Sequence, residues 1–270
     1  MAIFRSFDFD GINSLEYGVY ITGEAVYNAP ERAVEMISIP GRNGDLAIDQ
    51  GRFENIEVTY PAGVFASSQE EFAAKLRRIR NELASRFSYV RITDSYHPDE
   101  YRLGLYKSGL EVDPVAYSTA GEFDIVFNCK PQRFLSSGEQ PIELYEKDIL
   151  VDHTQDPIVT DTGEEIGVTY MVETFENPTL FESSPIIIVP GPGSLRIGNQ
   201  NITIGGDGTL PIYIDSDMQE IYQINASGAR VSASDLVSFV PNAFPKIAPG
   251  TNDIAASRGD IEIYPRWWIL

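Results

Sequence analysis

Residues 36–60, MISIPGRNGDLAIDQGRFENIEVTY, restrict what this chain can fold into more than any other stretch. An apolar approach (Met36, Ile37, Ile39) runs into Pro40-Gly41-Arg42-Asn43-Gly44, after which side chains alternate through Phe53, Ile56, Val58 and Tyr60. Pro and Gly punctuate turns, Asn-Gly tolerates positive φ, and a period of two places alternate side chains on one face of a strand. The expectation is strand, tight turn, strand, with both strands half-buried. No group in the stretch is suited to catalysis, so its role is architectural.

Strands surround this stretch. Phe4, Phe7 and Phe9 mark an early strand, Asp10-Gly11 reads as a turn, and residues 17–21 make another strand. Residues 68–85 hold the one convincing helix. Ser68 and Glu71 fit a capping box, and Phe72, Leu76, Ile79 and Leu83 recur at helical spacing on one face. Its acids, Glu70 and Glu71, come first, and Lys75, Arg77, Arg78, Arg80 and Arg86 follow, in the sense the helix dipole favours. These bases form either a solvated face or a docking face for an acidic neighbour, another copy of the chain included. Residues 89–93, 101–108, 110–117 and 121–128 alternate as strands, with Phe123, Ile125 and Phe127 on one side of the last. Strands, one helix and more strands predict an α+β first domain with the helix covering a sheet.

The composition changes near Lys130. Residues 1–135 hold 20 acids and 14 bases, a net of −6, whereas 136–270 hold 20 acids and 6 bases, a net of −14. Pro131 to Pro141 encloses Ser136, Ser137 and Gly138 and reads as a linker, giving domains of 1–135 and 136–270. Beyond it, residues 139–182 carry twelve acids and one Lys and are expected to be exposed loop or edge strand. From Ile186 onward, short strands recur with Gly-rich turns between them, Gly191-Pro192-Gly193 and Gly205-Gly206-Asp207-Gly208 among them. That rhythm predicts a β-sandwich or jelly roll.

Chemistry is harder to find. A formal net charge of −20 argues against a nucleic-acid-binding surface, which needs clustered Lys and Arg. It leaves open a passage along whose repulsive wall a polyanion slides. Cys129 stands alone, so neither an intramolecular disulfide nor a Cys-rich zinc site can form, and its place at a strand end suits a small buried side chain. Neither a signal peptide nor an apolar run long enough to span a bilayer is legible. The Gly-rich turns lack the Gly-Lys-Ser/Thr of a phosphate loop, and Asp207, Asp215 and Asp217 lack calcium-loop spacing. His97 and His153 have aspartates nearby but no nucleophile in a recognisable setting, so both read as solvated loop histidines. Glu164-Glu165 and Asp99-Glu100 are chain neighbours whose side chains would diverge in a strand. The expectation is therefore no catalytic residue, no cofactor and no metal. Tyr213, Tyr222, Phe239, Phe244, Trp267 and Trp268 serve either as core or as a platform for sugar rings. If Trp267-Trp268 is extended, one ring faces outward and needs a partner, expected to be another subunit or domain.

The order of these motifs resembles the siphophage distal tail proteins, hubs of tail-tip baseplates, over nearly the whole chain. The first half carries the likeness in Phe7-Asp8-Phe9-Asp10-Gly11, in Ile39-Pro40-Gly41-Arg42-Asn43-Gly44, in the single helix, and in Gly121-Glu122-Phe123-Asp124-Ile125-Val126-Phe127 leading to Pro131. The second half carries it in Asn177-Pro178, Pro185-Ile186-Ile187-Ile188, Gly191-Pro192-Gly193 and Ile212-Tyr213-Ile214-Asp215. It continues through Pro245, Pro249-Gly250-Thr251-Asn252 and the ending Tyr264-Pro265-Arg266-Trp267-Trp268-Ile269-Leu270.

The resemblance implies a mainly β protein: an N-terminal β-sandwich with one helix that forms a homo-hexameric ring, and a C-terminal galectin-like jelly-roll β-sandwich projecting outward. The last strand, 259–270, falls to either domain. Such a ring joins the major tail tube protein to the tail-tip, tail-associated lysin-like protein. The tape measure protein and then DNA pass through its lumen, and in some phages the outer domains carry receptor-binding proteins. The implied location is the virion tail tip, after synthesis in the host bacterial cytoplasm, without membrane or sequence-specific nucleic-acid binding. No long insertion of the kind that would make an extra carbohydrate-binding module or arm is present, so a simple hub is expected. The contacts expected in assembly are Arg42, Asn43, Arg77, Arg78, Trp267 and Trp268. The alternative is a carbohydrate-binding tail adhesin that touches the host wall through its second domain, and more distantly a wall hydrolase.

Overall fold

The computed structural model describes residues 5–21, 28–115, 119–142, 144, 150–151, 158–159, 165–166 and 169–270. They are mostly strand, with one α-helix. The chain divides into two compact units, Met1–Phe134 with Leu270, and Leu135–Ile269.

In the first unit, β1 (Phe7–Phe9) and β2 (Ile12–Asn13) form a hairpin turned by Asp10 and Gly11, whose φ angles are 56° and 82°. A 3-10 turn, Ser14–Tyr17, leads to β3 (Val19–Ile21). Then come β4 (Arg32–Ile37), β5 (Leu46–Phe53), β6 (Ile56–Phe65), helix α1 (Gln69–Ala84), β7 (Val90–Asp94), β8 (His97–Tyr106), β9 (Asp113–Val115) and β10 (Ala120–Leu135). One curled sheet runs in the order β2-β1-β7-β8-β10-β6-β3, with β9 also on β10.

Its spine is the antiparallel pairing of β6 with β10, from Ala120↔Phe65 to Cys129↔Ile56. The period of two sends Val58, Tyr60, Ala62 and Val64 inward beside Phe123, Ile125 and Phe127. Phe7 stacks on Tyr60 at 5.6 Å, and Phe9 on Phe127 at 5.2 Å. Helix α1 closes this core with Phe72, Leu76, Ile79 and Leu83, the four residues its spacing placed on one face. Ser68 Oγ accepts the Glu71 amide, and the Glu71 carboxylate accepts from the amide and hydroxyl of Ser67, one residue earlier than in the standard box.

The linker expected across Pro131 to Pro141 is absent. β10 continues through Pro131 to Leu135, and a 3-10 turn occupies Ser136–Glu139. Pro131 is tolerated in the strand because pairing with β6 has already ended at Cys129, so the missing N–H costs no bond on that side. The boundary thus falls within a strand rather than in a flexible segment. Pro and Ser misled the sequence reading because the twofold pattern that resolves them extends from upstream.

The second unit begins with short strands, β11 (Leu150–Val151), β12 (Ile158–Val159) and β13 (Glu165–Ile166), followed by β14 (Thr169–Asn177). His153 and Glu164 lie outside the described residues, as does most of the acid-rich stretch. Next come β15 (Ile186–Val189), β16 (Gly193–Ile197), β17 (Gln200–Ile204), β18 (Ile212–Asp215), β19 (Glu220–Ile224), β20 (Arg230–Ser232) and β21 (Val237–Val240). The chain ends with β22 (Gly250–Ala256), β23 (Glu262–Tyr264) and β24 (Trp268–Ile269). One sheet runs β11-β14-β22-β16-β17-β21 and the other β20-β19-β18-β15-β23. Ile187, Val189, Ile212, Ile214 and Ile263 of the second meet Leu195, Ile197, Ile202, Ile204 and Ile254 of the first in one core, a two-layer sandwich.

Residues 262–267 of the C-terminal segment are built into this sandwich. β23 pairs with β15, Trp267 is buried in the core, and the Leu135 amide donates to the Trp267 carbonyl at 2.8 Å. Arg266, at φ 57°, donates to Asp215 at 3.0 Å and approaches Asp217 at 3.6 Å. No helix among the described residues is long and apolar enough to cross a membrane.

Candidate assembly surface

The stretch that sets the fold also makes its most unusual surface. Among the described residues, β4 and β5 pair only with each other, as a two-stranded sheet separate from the curled one. The residues between them, 38–45, form a loop longer than the tight turn expected, with Gly41 and Gly44 at φ 80° and 79°. Gly44 takes the left-handed conformation foreseen for it, whereas Asn43 does not. A bond from the Arg42 amide to the Ile39 carbonyl tightens the loop, and Arg42 and Asn43 stand exposed at its tip.

Register decides what the ribbon shows. Val34 lies opposite Asp49 and Met36 opposite Ala47 on one face, while Glu35 lies opposite Ile48 and Ile37 opposite Leu46 on the other. Large apolar side chains are exposed on both faces: Met36 by 59%, Ile48 by 42%, and Val34, Ile37 and Leu46 with them. The expected half-burial fails because these strands have no second layer to pack on. Polar links near the base hold the ribbon: Arg32 pairs with Asp49 at 3.2 Å, and its guanidinium lies over the Phe53 ring. Isolated two-stranded ribbons are marginal in water, and exposed apolar edges invite association.

The helix bases separate into two groups. Lys75 binds Glu71 and the Phe65 carbonyl, each at 2.8 Å, and Arg86 binds Asp10 and Glu82. Arg78 donates to the Glu16 carbonyl at 3.1 Å and covers the Tyr17 ring at 4.7 Å. Arg78 therefore fastens the helix to the 3-10 turn. Arg77 stands exposed, without a hydrogen bond or ion pair among the described residues. On the β9–β10 side, Glu111, Asp113, Glu122 and Asp124 are exposed around an open groove of about 470 Å³. Glu122 and Asp124 fall there because they alternate with the inward Phe123 and Ile125.

Other singled-out residues have local work. Trp267 is buried, and the outward Trp268 finds its partner in its own unit, stacking on Phe181 at 4.3 Å and donating to the Glu182 carbonyl. His97 is not a solvated loop residue. It opens β8 half-buried, with Nδ1 3.2 Å from Asp94, whose other oxygen accepts the Tyr60 hydroxyl at 2.7 Å. Burial, with the Asp94 charge beside it, pushes the Tyr60 phenol well above its ordinary value, and burial raises the Cys129 thiol to about 12, so neither is poised to ionise at neutral pH. Asp207 accepts from Thr209 in its turn.

Sequence reading did not anticipate Val34, Leu46 and Ile48 as exposed, because alternation with polar neighbours looks the same whether the apolar face is buried or bare. Arg102 was also missed. It is buried in the first unit with desolvation lowering its pKa, and a lone Arg within a strand pattern gives no signal of burial.

Residues 14–129 match the family described as phage tail protein RIFT-related domain. Among solved structures, the Dit protein of phage SPP1, described as a paradigm of the hub adsorption apparatus in phages infecting Gram-positive hosts, is similar with a TM-score of 0.60 and 11% identity, covering 93% of this chain and 98% of that one. A chain of the phage P2 baseplate in its activated conformation with calcium has a TM-score of 0.50 and 9% identity, covering 94% and 98%. No curated protein sequence matches the chain.

Proposed function

The chain carries a phage tail protein RIFT-related domain in residues 14–129 and has the fold of a siphophage distal tail protein, and from this we propose that it is a structural hub of the phage tail tip. Copies of the first unit assemble into a closed homo-hexameric ring. One side of the ring meets the tail tube protein, the other the tail-tip protein, and the lumen passes the tape measure protein and then DNA. The mature location is the virion tail tip.

The observation that carries this reading is the β4–β5 ribbon, whose two faces both expose large apolar side chains. A single wall would cover one face, whereas a ribbon lodged between neighbouring subunits is covered on both. A ring also needs two different surfaces that fit each other head to tail. Exposed Arg77 on the helix and the groove of Glu111, Asp113, Glu122 and Asp124 supply opposite charges for such a pair. The overall charge of −20 suits a lumen through which a polyanion slides without adhering. The work required of these residues is association, not bond-making.

Light scattering over a range of concentrations tests the assembly. The expected mass is about 180 kDa, six times 30.0 kDa. Replacing Met36 and Ile48 together by Asp is expected to give a folded 30.0 kDa monomer. A hexamer indifferent to that change would remove the ribbon from the interface. A wild-type chain that stays monomeric at every concentration would overturn self-assembly of the isolated protein.

A further inference from the structure

Among the described residues, the second unit leaves two sheet edges open beside one another. β20 ends the five-stranded sheet and β21 ends the six-stranded one. Between them lies a cavity of about 850 Å³, whose walls include Tyr222, Arg230, Ser232, Ser238, Phe239 and Phe244. That size lies within the usual range for ligand pockets.

Register shows which backbone groups face outward. Gly205 donates to the Leu236 carbonyl, and Thr203 lies opposite Ser238, so Ser238 and Val240 direct their backbone groups toward β17. Val237 and Phe239 therefore turn theirs away from the sheet. On β20, the bonds Asn225 to Ala229 and Ala233 to Ile221 commit Val231 to β19 and turn the backbone groups of Arg230 and Ser232 outward. Both walls thus offer main-chain donors and acceptors that are unpaired among the described residues.

The side chains narrow the occupant. The Tyr222 ring is held between Tyr213, stacked at 5.2 Å, and the Arg230 guanidinium at 4.4 Å, so neither face remains for a sugar ring. The two charged residues of the lining, Arg230 and Glu220, pair at 3.3 Å and leave the groove without net charge. Its charge complement is therefore neutral. Phe239 and Phe244, 5.1 Å apart, give an apolar floor on the inner side of β21.

We propose that this groove takes an extended, uncharged segment of a partner polypeptide as an added strand on β21. Its backbone pairs with the outward N–H and C=O of Val237 and Phe239. Alternate side chains turn into the cavity over Phe239 and Phe244 and the others face solvent, so the segment reads as apolar alternating with small polar residues. This contact is independent of ring formation.

The test uses the full chain and capped eight-residue peptides in which Thr alternates with Val, Ile or Leu, with binding read by fluorescence anisotropy. Saturable binding is expected, with slowed amide exchange in residues 237–240. N-methylating the alternate peptide amides that face β21 is expected to weaken binding at least about tenfold, the effect of one or two lost main-chain hydrogen bonds. Phe239→Pro, which removes an outward N–H at a sheet edge, is expected to do the same, whereas Phe239→Leu binds nearly as wild type. Equal binding of the N-methylated peptide overturns the proposal without requiring any variant to fold. So does failure of every peptide to saturate at millimolar concentration, or a cell-wall polysaccharide that protects residues 237–240 where the peptides do not. The mass is read from the same samples. A monomer that binds the peptide counts against the ring alone, and a hexamer that ignores it counts against the groove alone.

Discussion

At the scale of single residues, the first-unit core leaves little slack around Gly104. A methyl group there would lie 2.4 Å from Ile92 Cδ1 and 2.9 Å from Cys129 Sγ. Gly104→Ala is expected to destabilise the fold by about 1–3 kcal/mol, the usual cost of overpacking, measured as a lower urea midpoint. Proton linkage operates at both ends of the pH range. The folded chain retains the Cys129 proton up to about 12 and the Tyr60 proton well above its ordinary value, while the unfolded chain releases them from about 9 and 10. The Cys129 contribution is complete below about pH 9 and is lost as pH rises toward about 12, and that of Tyr60 begins to be lost above about pH 10, each at a slope of about 1.4 kcal/mol per pH unit. Cys129→Ala is expected to remove the thiol's share of that fall, leaving stability level between about pH 9 and 10 and falling less steeply above. On the acid side, Lys75 and then Ser67 hold Glu71 down to about 2. Its contribution is present above about pH 4.5 and disappears as pH falls through 2, so Glu71→Gln is expected to flatten the acid limb of an unfolding series.

At the scale of elements, helix and ribbon call for opposite predictions. Ile79 is 1% exposed, and Ile79→Ala is expected to cost about 2–5 kcal/mol in equilibrium unfolding while leaving any assembly contact chemically intact. The ribbon side chains are exposed, so the Met36 and Ile48 changes to Asp are expected to leave the unfolding midpoint of the monomer within about 0.5 kcal/mol, as surface substitutions do. Charge reversal separates the two helix arginines. Arg77→Glu is expected to weaken assembly without touching the fold, because Arg77 has no partner among the described residues. Combining it with Glu122→Lys and Asp124→Lys should restore the mass, read by sedimentation, and no restoration would dissociate the helix from the acidic groove. Arg78→Glu would also unfasten the 3-10 turn, so its effect on mass reports two things at once.

At the scale of the whole molecule, the two compact units predict that a chain ended after Phe134 keeps a cooperative thermal transition, and a molten product would show that later residues complete the first fold. The sequence by itself determined the helix and the twofold alternation of strands such as residues 121–128, because period and capping chemistry are local properties of neighbouring residues, whereas the pairing of β6 with β10 came from the tertiary structure. The sequence also carried the order of motifs that resembles the tail hub proteins. Only the tertiary structure decided that β10 runs through Pro131 instead of ending in a linker, since that depends on where β6 stops. It likewise decided that Trp268 has Phe181 to stack on, that His97 has Asp94, and that Arg78 is occupied. The ribbon is the sharpest case. Met36 and Ile37 read as part of a half-buried strand, and only the absence, among the described residues, of a second layer over β4 and β5 leaves these side chains a surface. Periodicity states which residues share a face, but what lies against that face is set by residues far away in the chain or on another molecule.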